Sequence, residues 1–588
     1  MARKIKSIRP VVKATRQQYN ACKLLVHPEN QKSRWRIQLF FFLFILIAAA
    51  IAAKLYYLQI IKGDYYQALA MGQQTTFEED QGLRGDIYLA GNDLPLTQSK
   101  TRNILYVFPG KLETNDFQSE SQKLAQVFLE PPENWLALFN KGEAIKREPT
   151  EEQVSQIKEL KLNSIILDKV RGRYYPQKEF AANVIGFLTQ NNQGQYGLEG
   201  FYDQILKGNS STAKGARSPF GYLALPAQDK NQPQKGADLW LTIDYKIQYL
   251  AEKLLKKAKD DWNIDSGQII VQEPATGKIL VMANFPAFDP NTYAINKDLE
   301  IFSNKAIQRT FEPGSIFKPI TMAAGLQEGL VTPETTYVDT GSVNVGGPSI
   351  RNFAMHVFGK STMTRVLEQS INTGAVFVED KLGGERFLKY VARFGFFEKT
   401  GIDLQGEVCS ANETLRKGYP RDFATASFGQ GVEVTSLQMV QAFSAIANQG
   451  KMMKPYVVSR VVKADSQETI IQPRIIKEVV SAKVASDLGQ MMEKVVSQGS
   501  GRRAKITGYQ ISGKTGTAQV IAKNGKYDES VTTQTFLGFF PTQEPKATIL
   551  VKLDSPKGSS DAGSSAAPIA REMIKNMLDL WQIPPREN

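Results

Sequence analysis

Ser315 and Lys318 stand three residues apart in the stretch Glu312–Pro319. At the start of a helix, this spacing places both side chains on one face, about one turn apart. A serine hydroxyl becomes an effective nucleophile when a base takes its proton, and a lysine can be that base if burial or nearby cations depress its pKa. Gly314 would permit a tight turn before the serine, and Pro319 is tolerated in a first helical turn. The pair therefore predicts a serine nucleophile with a lysine base at a helix N-terminus.

Two further stretches strengthen this hypothesis, because a lone S-x-x-K pair also occurs by chance. Ser370-Ile-Asn372 follows the amphipathic run Ser361–Gln369, and Lys514-Thr-Gly-Thr517 lies in the strand-like run Tyr509–Ile521. Taken singly, the first is also typical of a turn at a helix end, and the second of an edge strand with a glycine kink. Together and in this order, the three motifs resemble those of the penicillin-recognising acyl-serine transferases.

The scarcity of histidine and cysteine argues against other catalytic chemistries. The chain holds two histidines, His27 and His356, and two cysteines, Cys22 and Cys409. A zinc peptidase site is thus nearly ruled out, and a Ser-His-Asp triad would have to use His356. If an apolar segment between the two cysteines crosses a membrane, they lie on opposite sides and cannot form a disulfide. A serine enzyme in this chain needs a lysine base.

Positive charge is concentrated ahead of an apolar segment. Residues 1–36 hold ten lysines and arginines against one glutamate, so nine of the thirteen net positive charges lie there, and nothing favours nucleic acid as a partner. The segment Ile37–Tyr57 approaches the roughly 20 apolar residues that span a bilayer. Arg34 and Arg36 on its near flank predict that the N-terminus is inside. We predict a basic cytoplasmic tail (1–36) and an uncleaved single-pass transmembrane helix (37–57), with a cleaved signal peptide as the alternative.

Residues 58–235 show mixed short strands and helices but no pattern that suggests chemistry. Two stretches stand out, Arg84-Gly-Asp-Ile87 and Gly197-Leu-Glu-Gly-Phe-Tyr-Asp203. We interpret the region as a structural pedestal or docking domain of mixed α/β structure. Its predicted end is the polar stretch Gln228–Lys235, which is typical of a linker.

Residues 236–588 are predicted to form the catalytic domain. A strand over Asp238–Asp244 and an amphipathic helix over Tyr245–Lys259 precede a hairpin with strands Gly267–Glu273 and Lys278–Asn284. Three strands and a helix close the chain, over Tyr509–Ile521, Thr532–Phe540, Lys546–Asp554 and Ala562–Leu580. Strands at both ends of a helical middle predict an α+β fold, in which one central antiparallel sheet assembled from N- and C-terminal pieces is flanked by helices.

The whole chain resembles the class B penicillin-binding proteins, the monofunctional peptidoglycan D,D-transpeptidases. Besides the three motifs, the resemblance lies in the stretches Leu241–Asp244, Glu273–Ala283, Phe428–Thr435 and Gly516–Ala518. It implies that Ser315 is the acylated nucleophile and that Lys318 is its general base. Ser370 would relay a proton to the leaving amine, and Asn372 would hold the backbone of the donor peptide.

The resemblance also assigns roles to the motif on the predicted strand. Lys514, Thr515 and Thr517 would bind the terminal carboxylate of the substrate. Gly516 would give the peptide close access to the strand. The backbone amides of Ser315 and Thr517 would form the oxyanion hole.

The implied donor is a peptidoglycan stem peptide ending in D-Ala-D-Ala, which is joined to the amine of a second stem peptide after release of D-Ala. β-Lactams would mimic the donor and remain bound as acyl-enzymes. No metal or organic cofactor is implied. A polytopic membrane glycan polymerase and other division proteins are the implied partners. The compact size and the Tyr174-Tyr-Pro176 stretch favour the cell-division (septal) branch over the elongation branch.

Other functions remain open on the same domain. In a β-lactamase or a D,D-carboxypeptidase, water takes the acyl group, and the motifs do not separate these enzymes from a transpeptidase. The predicted membrane helix and large pedestal argue against a hydrolase, which needs neither. A membrane β-lactam receptor would normally have more membrane segments and a cytoplasmic effector. A non-catalytic division scaffold is a further alternative, but it would not need to retain Lys318 or Lys514.

Overall fold

The structure, a computed structural model, describes residues 31–57 and 80–585, apart from gaps at 92–94, 110–115, 143–144, 161, 163, 190, 212–215, 219–220, 224–233 and 522–526. The chain divides into two compact units, Met1–Glu78 and Glu79–Asn588. Most of the predicted basic tail, with Cys22 and His27, lies outside the described residues, as does most of the predicted linker Gln228–Lys235.

The first unit contains the helix α1 (Gln31–Tyr56). At 1.5 Å per residue, its 26 residues rise about 39 Å, which exceeds the ~30 Å hydrocarbon core of a bilayer. Its span Leu39–Tyr56 is long and apolar enough to cross a membrane, and no part of that span is buried. The predicted membrane segment is therefore helical, as part of a helix that begins at Gln31, and is compatible with a single-pass anchor.

The described residues of 80–235 contain a three-stranded sheet covered by helices. The elements of this region include β1 (Ile87–Tyr88), β2 (Gln98–Val107), α2 (Phe117–Phe128), α3 (Pro132–Lys141), β3 (Ile145–Arg147), α4 (Glu151–Leu160) and β4 (Ile165–Tyr174), with short helices at Ala182–Ile185, Gly197–Phe201 and Asp203–Leu206. The central strand β2 pairs antiparallel with β3 and β4. Leu105 and Val107, two positions apart, face the same way and pack with Trp135 and Phe139 of α3.

The two sequence motifs of this region meet in a buried ion-pair network. The Arg84 guanidinium donates to Glu199 at 2.7 Å and to Asp203 at 2.8 Å, and Arg173 donates to the other Glu199 oxygen at 2.7 Å. Glu199 is fully buried, and a buried carboxylate is stable only when it is paired and hydrogen-bonded. Burial raises the pKa of Glu199, but the charges of Arg173 and Arg84 outweigh this and lower it overall. The network holds distant segments of the pedestal together.

The helices of the remaining chain include α5 (Tyr245–Trp262), α6 (Lys318–Gln327), α7 (Met363–Glu368), α8 (Asn372–Leu382), α9 (Gly384–Arg393), α10 (Ser436–Ala447), α11 (Ala482–Ser497) and α12 (Ala566–Leu580). The principal strands are β5 (Asp238–Leu241), β6 (Ser266–Gln272), β7 (Ile279–Phe285), β8 (Thr336–Asp339), β9 (Gly359–Thr362), β10 (Val458–Val462), β11 (Glu468–Ile470), β12 (Ser512–Ile521), β13 (Tyr527–Phe540) and β14 (Ala547–Asp554). Strand β5 pairs parallel with β1 and antiparallel with β10, so one small sheet, β1–β5–β10–β11, joins residues 80–235 to the rest of the second unit.

The central sheet has the strand order β7–β6–β14–β13–β12, and every neighbouring pair is antiparallel. The N-terminal hairpin thus joins the C-terminal strands through β6 and β14. The predicted α+β class with a central antiparallel sheet is confirmed. Element ends differ slightly from the predictions: the last helix begins at Ala566 rather than Ala562, and the strand predicted to Asp244 ends at Leu241.

Apolar side chains on both faces of this sheet explain why helices cover it on both sides. Ile269 and Val271 of β6 pack with α5 and α12, whereas Ile270 between them packs with α6, α10 and α11 on the opposite face. Successive side chains of a strand alternate between faces, and burying each one stabilises the fold by about 1.5–3 kcal/mol. Helix α6 is buried along Lys318–Gly325, which fixes the segment that follows the predicted nucleophile.

Candidate active site

The predicted nucleophile lies in a tight turn that leads into α6. A 3-10 turn covers Gly314–Phe317, and Gly314 has a φ of 56°, the left-handed conformation that glycine adopts without strain. The carbonyl oxygen of Gly429 accepts a hydrogen bond from the Gly314 N–H at 3.0 Å. A Cβ at Gly429 would lie 2.1 Å from the Gly314 oxygen, so this close approach requires glycine at position 429. Ser315 is thereby held at the start of the helix, with its side chain half-buried.

Lys318 lies one turn after Ser315, and only 1% of its surface is exposed. Its Nζ is 3.1 Å from the Ser315 Oγ and 3.1 Å from the Ser370 Oγ. It also donates to the Ser370 carbonyl oxygen at 2.6 Å and to the Asn372 Oδ1 at 2.8 Å. Burial, together with the charge of Lys514, lowers the pKa of Lys318 well below its ordinary value. The neutral form of the Lys318 amine is therefore more accessible than in an ordinary lysine, and this amine contacts the serine hydroxyl.

Ser370 lies in the short connection between α7 and α8, with a φ of 56°. This left-handed conformation is uncommon for a residue with a side chain, and it is typical of the position after a helix end. It places the Ser370 hydroxyl between two lysines, 3.1 Å from Lys318 Nζ and 2.9 Å from Lys514 Nζ. A hydroxyl can both accept and donate, so Ser370 can carry a proton across this part of the site.

Asn372 begins α8 with its side chain directed toward Lys318. Its Nδ2 donates to the Arg351 carbonyl oxygen at 2.9 Å, which requires the amide oxygen to be the atom that faces Lys318. Asn372 is half-buried, unlike Lys318 itself. Its amide therefore contacts the lysine from the side of the site that solvent reaches.

Lys514 reaches the same cluster from β12, an edge strand of the central sheet. It is fully buried, and its Nζ donates to the Ser370 Oγ and to the Thr515 carbonyl oxygen, both at 2.9 Å. Burial lowers its pKa to about 7. An ammonium has three N–H donors, so one remains for a ligand when the amine is protonated.

The three residues after Lys514 follow the strand past the nucleophile turn. The Thr515 Oγ1 lies 3.1 Å from the Ser500 Oγ, and the Thr517 Oγ1 accepts from the Ala562 N–H at 3.2 Å. A Cβ at Gly516 would lie 3.0 Å from the Ile316 side chain and 3.1 Å from the Pro313 oxygen. The missing side chain of Gly516 therefore lets the nucleophile turn pack against the strand, a packing reason that the motif alone did not reveal.

The structure brings the predicted residues together from three separate segments. Contacts of 3.1 Å or less connect five of them in one network: Ser315, Lys318, Asn372, Ser370 and Lys514. The remaining three, Thr515, Gly516 and Thr517, lie beside that network on the edge strand. The arrangement is chemically suited to acyl transfer, since it combines a hydroxyl nucleophile, a buried amine base, a relay hydroxyl and a second buried amine.

Sequence reasoning missed residues that hold the motifs in place. Gly429 supports the nucleophile turn, Ser500 contacts Thr515, and Asn352 accepts hydrogen bonds from the first turn of α8. Gly429 had a visible signal, because it belongs to the glycine-rich stretch Phe428–Thr435. Asn352 and Ser500 lie in loops far from the motifs in sequence, where no local periodicity marks them.

Comparison with known proteins identifies two families of domain along the chain. Residues 267–575 match the model of the penicillin binding protein transpeptidase domain, and residues 79–241 match that of the penicillin-binding protein dimerisation domain. The transpeptidase match covers more than half of the 588 residues and contains all the predicted site residues.

Relatives and solved structures agree with these matches. Stage V sporulation protein D of Bacillus subtilis is 33% identical, with 94% of this chain and 86% of the relative covered. A probable peptidoglycan D,D-transpeptidase PenA of Neisseria gonorrhoeae is 26% identical, with 94% of each chain covered. The crystal structure of penicillin binding protein 3 from Mycobacterium tuberculosis in complex with aztreonam matches with a TM-score of 0.67 at 26% identity, covering 86% of this chain and 98% of that one.

Proposed function

This chain belongs to the class B penicillin-binding proteins and is a peptidoglycan D,D-transpeptidase, and from that premise we propose that it works through an acyl-enzyme on Ser315. The Ser315 Oγ attacks the carbonyl carbon of the penultimate D-Ala of a donor stem peptide, and the terminal D-Ala leaves as its free amine. The amine of a second stem peptide then attacks the ester and forms the cross-link. The observation that carries this proposal is the 3.1 Å contact between the Ser315 Oγ and the buried Lys318 Nζ.

The contacts of Lys318 give it the geometry of a general base. A neutral amine has two N–H donors and one lone pair. The Ser370 carbonyl oxygen and the Asn372 Oδ1 can only accept, so they take both N–H groups. The lone pair is then directed toward the hydroxyls, of which that of Ser315 is 3.1 Å away. Lys318 therefore takes the Ser315 proton as the hydroxyl attacks.

Ser370 completes proton transfer in this proposal. The proton taken by Lys318 must reach the nitrogen of the departing D-Ala, because an amide nitrogen leaves readily only when protonated. The Ser370 Oγ is 3.1 Å from Lys318 Nζ, so it can accept a proton from the lysine and donate its own to the leaving group. In the second half-reaction the same path runs in reverse, and the acceptor amine loses its proton as it attacks. Asn372, on the solvent-facing side, holds the backbone of the donor peptide.

Binding of the donor's terminal carboxylate is assigned to Lys514, Thr515 and Thr517. Lys514 has one N–H donor beyond its contacts with Ser370 and Thr515, and a carboxylate is its natural partner. The two threonine hydroxyls lie on the same edge strand, and each has one O–H that could donate to the carboxylate, that of Thr515 in place of its present contact with Ser500. Gly516, between them, allows close approach of the strand to the nucleophile turn.

The oxyanion hole is assigned to the backbone N–H groups of Ser315 and Thr517. Ser315 lies in the first turn of a helical segment, whose N–H groups have no intrahelical acceptor. Thr517 lies on an edge strand that abuts this turn. Removing one oxyanion-hole donor typically lowers the rate about 100- to 1,000-fold.

The proposed cellular setting rests on the predicted membrane helix and on the resemblance to the class B penicillin-binding proteins. We assign the catalytic domain (236–588) and the pedestal (58–235) to the outer side of the cytoplasmic membrane, because the basic residues 1–36 precede the membrane helix (37–57) and favour the inside. Septal wall synthesis with a polytopic glycan polymerase and other division proteins is the proposed role. A relative from Mesostigma viride named peptidoglycan D,D-transpeptidase FtsI homolog, 27% identical with 94% of this chain covered, supports the transpeptidase activity that this role requires.

Wall synthesis during sporulation is a second candidate role. The observation that favours it is the 33% identity to stage V sporulation protein D over 94% of this chain. Expression of the chain in two depletion strains, one lacking its septal transpeptidase and one lacking its sporulation transpeptidase, separates the roles. The strain whose defect is corrected identifies the role, and correction of neither excludes both.

Intact-mass analysis tests the acyl-enzyme directly. Full-length protein in detergent is exposed to benzylpenicillin beside the variant Ser315→Ala. The wild type gains one penicillin mass that persists for many minutes, and the variant gains none. Loss of the adduct within seconds would indicate a hydrolase, and an adduct on Ser315→Ala would refute the assignment of the nucleophile.

A further inference from the structure

The loop between β8 and β9, residues 340–358, supplies a helix cap to the S-x-N segment. The Asn352 Oδ1 accepts hydrogen bonds from the backbone N–H groups of Asn372 at 3.0 Å and Thr373 at 3.2 Å. These are first-turn groups of α8, which have no intrahelical acceptor. The residue at the usual capping position, Ile371, has no side chain able to accept them. A side chain from a distant loop therefore replaces the normal N-cap.

Asn352 is itself held by a buried carboxylate. Its Nδ2 donates to both oxygens of Asp339 at 3.0 Å and to the His356 carbonyl oxygen at 3.1 Å. Asp339 is 2% exposed. The other groups that donate to Asp339 are the backbone N–H of Gly341, the backbone N–H of Phe358 and the hydroxyl of Thr373. With so many donors directed at it, the carboxylate fixes which way the Asn352 amide faces.

The same loop also fixes the side chain of Asn372. The Arg351 carbonyl oxygen accepts from the Asn372 Nδ2 at 2.9 Å, and the opposite end of that amide, Oδ1, meets the Lys318 Nζ at 2.8 Å. Arg351 and Asn352 are consecutive, so one short segment holds both the backbone and the side chain of Asn372. A rotation of this segment would withdraw an acceptor from the buried amine that contacts Ser315.

We propose that Asn352 and Asp339 are positioning residues that orient Asn372 toward Lys318 and so set the rate of acylation, a role that rests on the acylation of Ser315 proposed above. Neither residue touches the reacting atoms. Asp339 orients the Asn352 amide, Asn352 holds the first turn of α8, and Asn372 then takes one N–H of Lys318 so that the lone pair meets the hydroxyl. A misplacement of about 1 Å can lower a rate about 100-fold.

The first test compares two asparagines of one loop. Asn352→Ala removes the cap, whereas Asn344→Ala removes an exposed asparagine whose partner is Ser349 of the same loop. The second-order rate of acylation by a fluorescent penicillin and the thermal midpoint are measured on full-length protein in detergent. We expect a fall of about 100-fold for Asn352→Ala while a folded transition is retained. The control Asn344→Ala keeps the wild-type rate.

The second test uses the nearly isosteric variant Asn352→Asp, which keeps the acceptor but places a second carboxylate beside Asp339. Two carboxylates in one site share a proton, so one pKa of the pair is raised. In the singly protonated pair, a carboxyl O–H replaces the lost amide donor, whereas two ionised groups repel each other. The acylation rate relative to wild type is therefore expected to rise as pH falls from 8 to about 6. A purely structural cap would give a constant ratio.

Other charged groups near the pair are controlled as follows. Tyr337 on β8 remains protonated, since burial raises its pKa to about 12. The exposed His356 is removed by carrying out the series in a His356→Gln background. Arg351 is exposed, and both Arg351 and Lys318 are present in each of the two proteins being compared. Asn344→Asp in the same background shows the effect of adding a carboxylate elsewhere in the loop.

Each outcome bears on a separate claim. A wild-type acylation rate in folded Asn352→Ala, or a ratio for Asn352→Asp that does not change with pH, would overturn the positioning role. If Asn352→Ala does not fold, the Asn352→Asp series decides alone. Acylation of Ser315→Ala measured alongside would overturn the proposed function, whatever the Asn352 variants do.

Discussion

Replacing Lys514 with methionine removes a buried ammonium while keeping most of the side-chain volume, so it tests how the site recognises a carboxylate. Lys514 is fully buried, and two of its three N–H donors are used by Ser370 and Thr515. One donor remains for the ligand. The variant also loses the contact with Ser370, so its acylation rate with any one ligand reflects both this loss and the loss of the donor to the carboxylate. Comparing a ligand that has the carboxylate with one that lacks it separates the two effects.

The assay is therefore a cycle of two proteins and two ligands, benzylpenicillin and its methyl ester. A hydrogen bond to a charged group contributes about 1.5–3 kcal/mol, which corresponds to a preference for the free carboxylate of about 10- to 150-fold. We expect the wild type to show this preference in its acylation rate. Lys514→Met should lose most of this preference and keep only the part that Thr515 and Thr517 supply, because the lost Ser370 contact affects both ligands equally. An undiminished preference in the variant would refute the assignment of Lys514.

The pH dependence supplies an independent check on the same lysine. Burial lowers the pKa of Lys514 to about 7, so the free enzyme loses this charge as pH rises above that value. The preference for the carboxylate should therefore decrease from pH 7 to pH 9. Proton transfer by Lys318 affects both ligands and cancels in their ratio. A constant preference over this range would mean that the lysine retains its proton in the site.

Three further changes test other contacts of the structure. Lys318→Met removes the base and should lower acylation about 100- to 10,000-fold in stopped-flow measurements, while the thermal midpoint does not fall. Gly429→Ala should slow acylation and destabilise the protein by about 1–3 kcal/mol. The reason is that Gly429 has a φ of 86° and that a Cβ there would lie 2.1 Å from the Gly314 oxygen. An unchanged urea midpoint of unfolding would contradict this. Glu199→Gln leaves Arg84 and Arg173 without their shared carboxylate and should cost about 3–5 kcal/mol in denaturant unfolding at pH 7. The pKa of Glu199 is lower in the folded than in the unfolded protein, so this stabilisation is present above the unfolded pKa and is lost as pH falls through the folded pKa. The difference in the free energy of unfolding between Glu199→Gln and the wild type should therefore become smaller in acid.

Local geometry explains why the sequence predicts so much of the site. In a helical turn, the three-residue spacing of Ser315 and Lys318 places both side chains on one face. Gly314 likewise predicts the positive φ that the structure has at that position. The strands and helices of the central sheet were also predictable, since period-2 and period-3.6 patterns of apolar residues do not depend on the rest of the chain.

What the sequence did not reveal is which residues from separate segments of the chain contact each other. Asn352 accepts from Asn372, and Arg84 pairs with Glu199, yet neither pair has a spacing that local geometry constrains. Asn352 in a loop resembles any other polar loop residue. The role of Gly516 in packing was hidden for the same reason, because the Ile316 side chain that occupies its free space belongs to another segment.

The sequence by itself determined the prediction of the chemistry: a serine, a lysine three residues later, and two further motifs that together resemble those of an acyl-serine transferase, with a membrane helix predicted before them. Only the tertiary structure decided that Ser315, Ser370 and Lys514 meet, that β12 is the edge strand beside the nucleophile, and that Asn352 caps α8. The physical reason is the range of the forces involved. Backbone geometry fixes the relative positions of residues that are only a few positions apart. The burial of apolar faces brings distant segments together, and it does not depend on how far apart they are in the sequence.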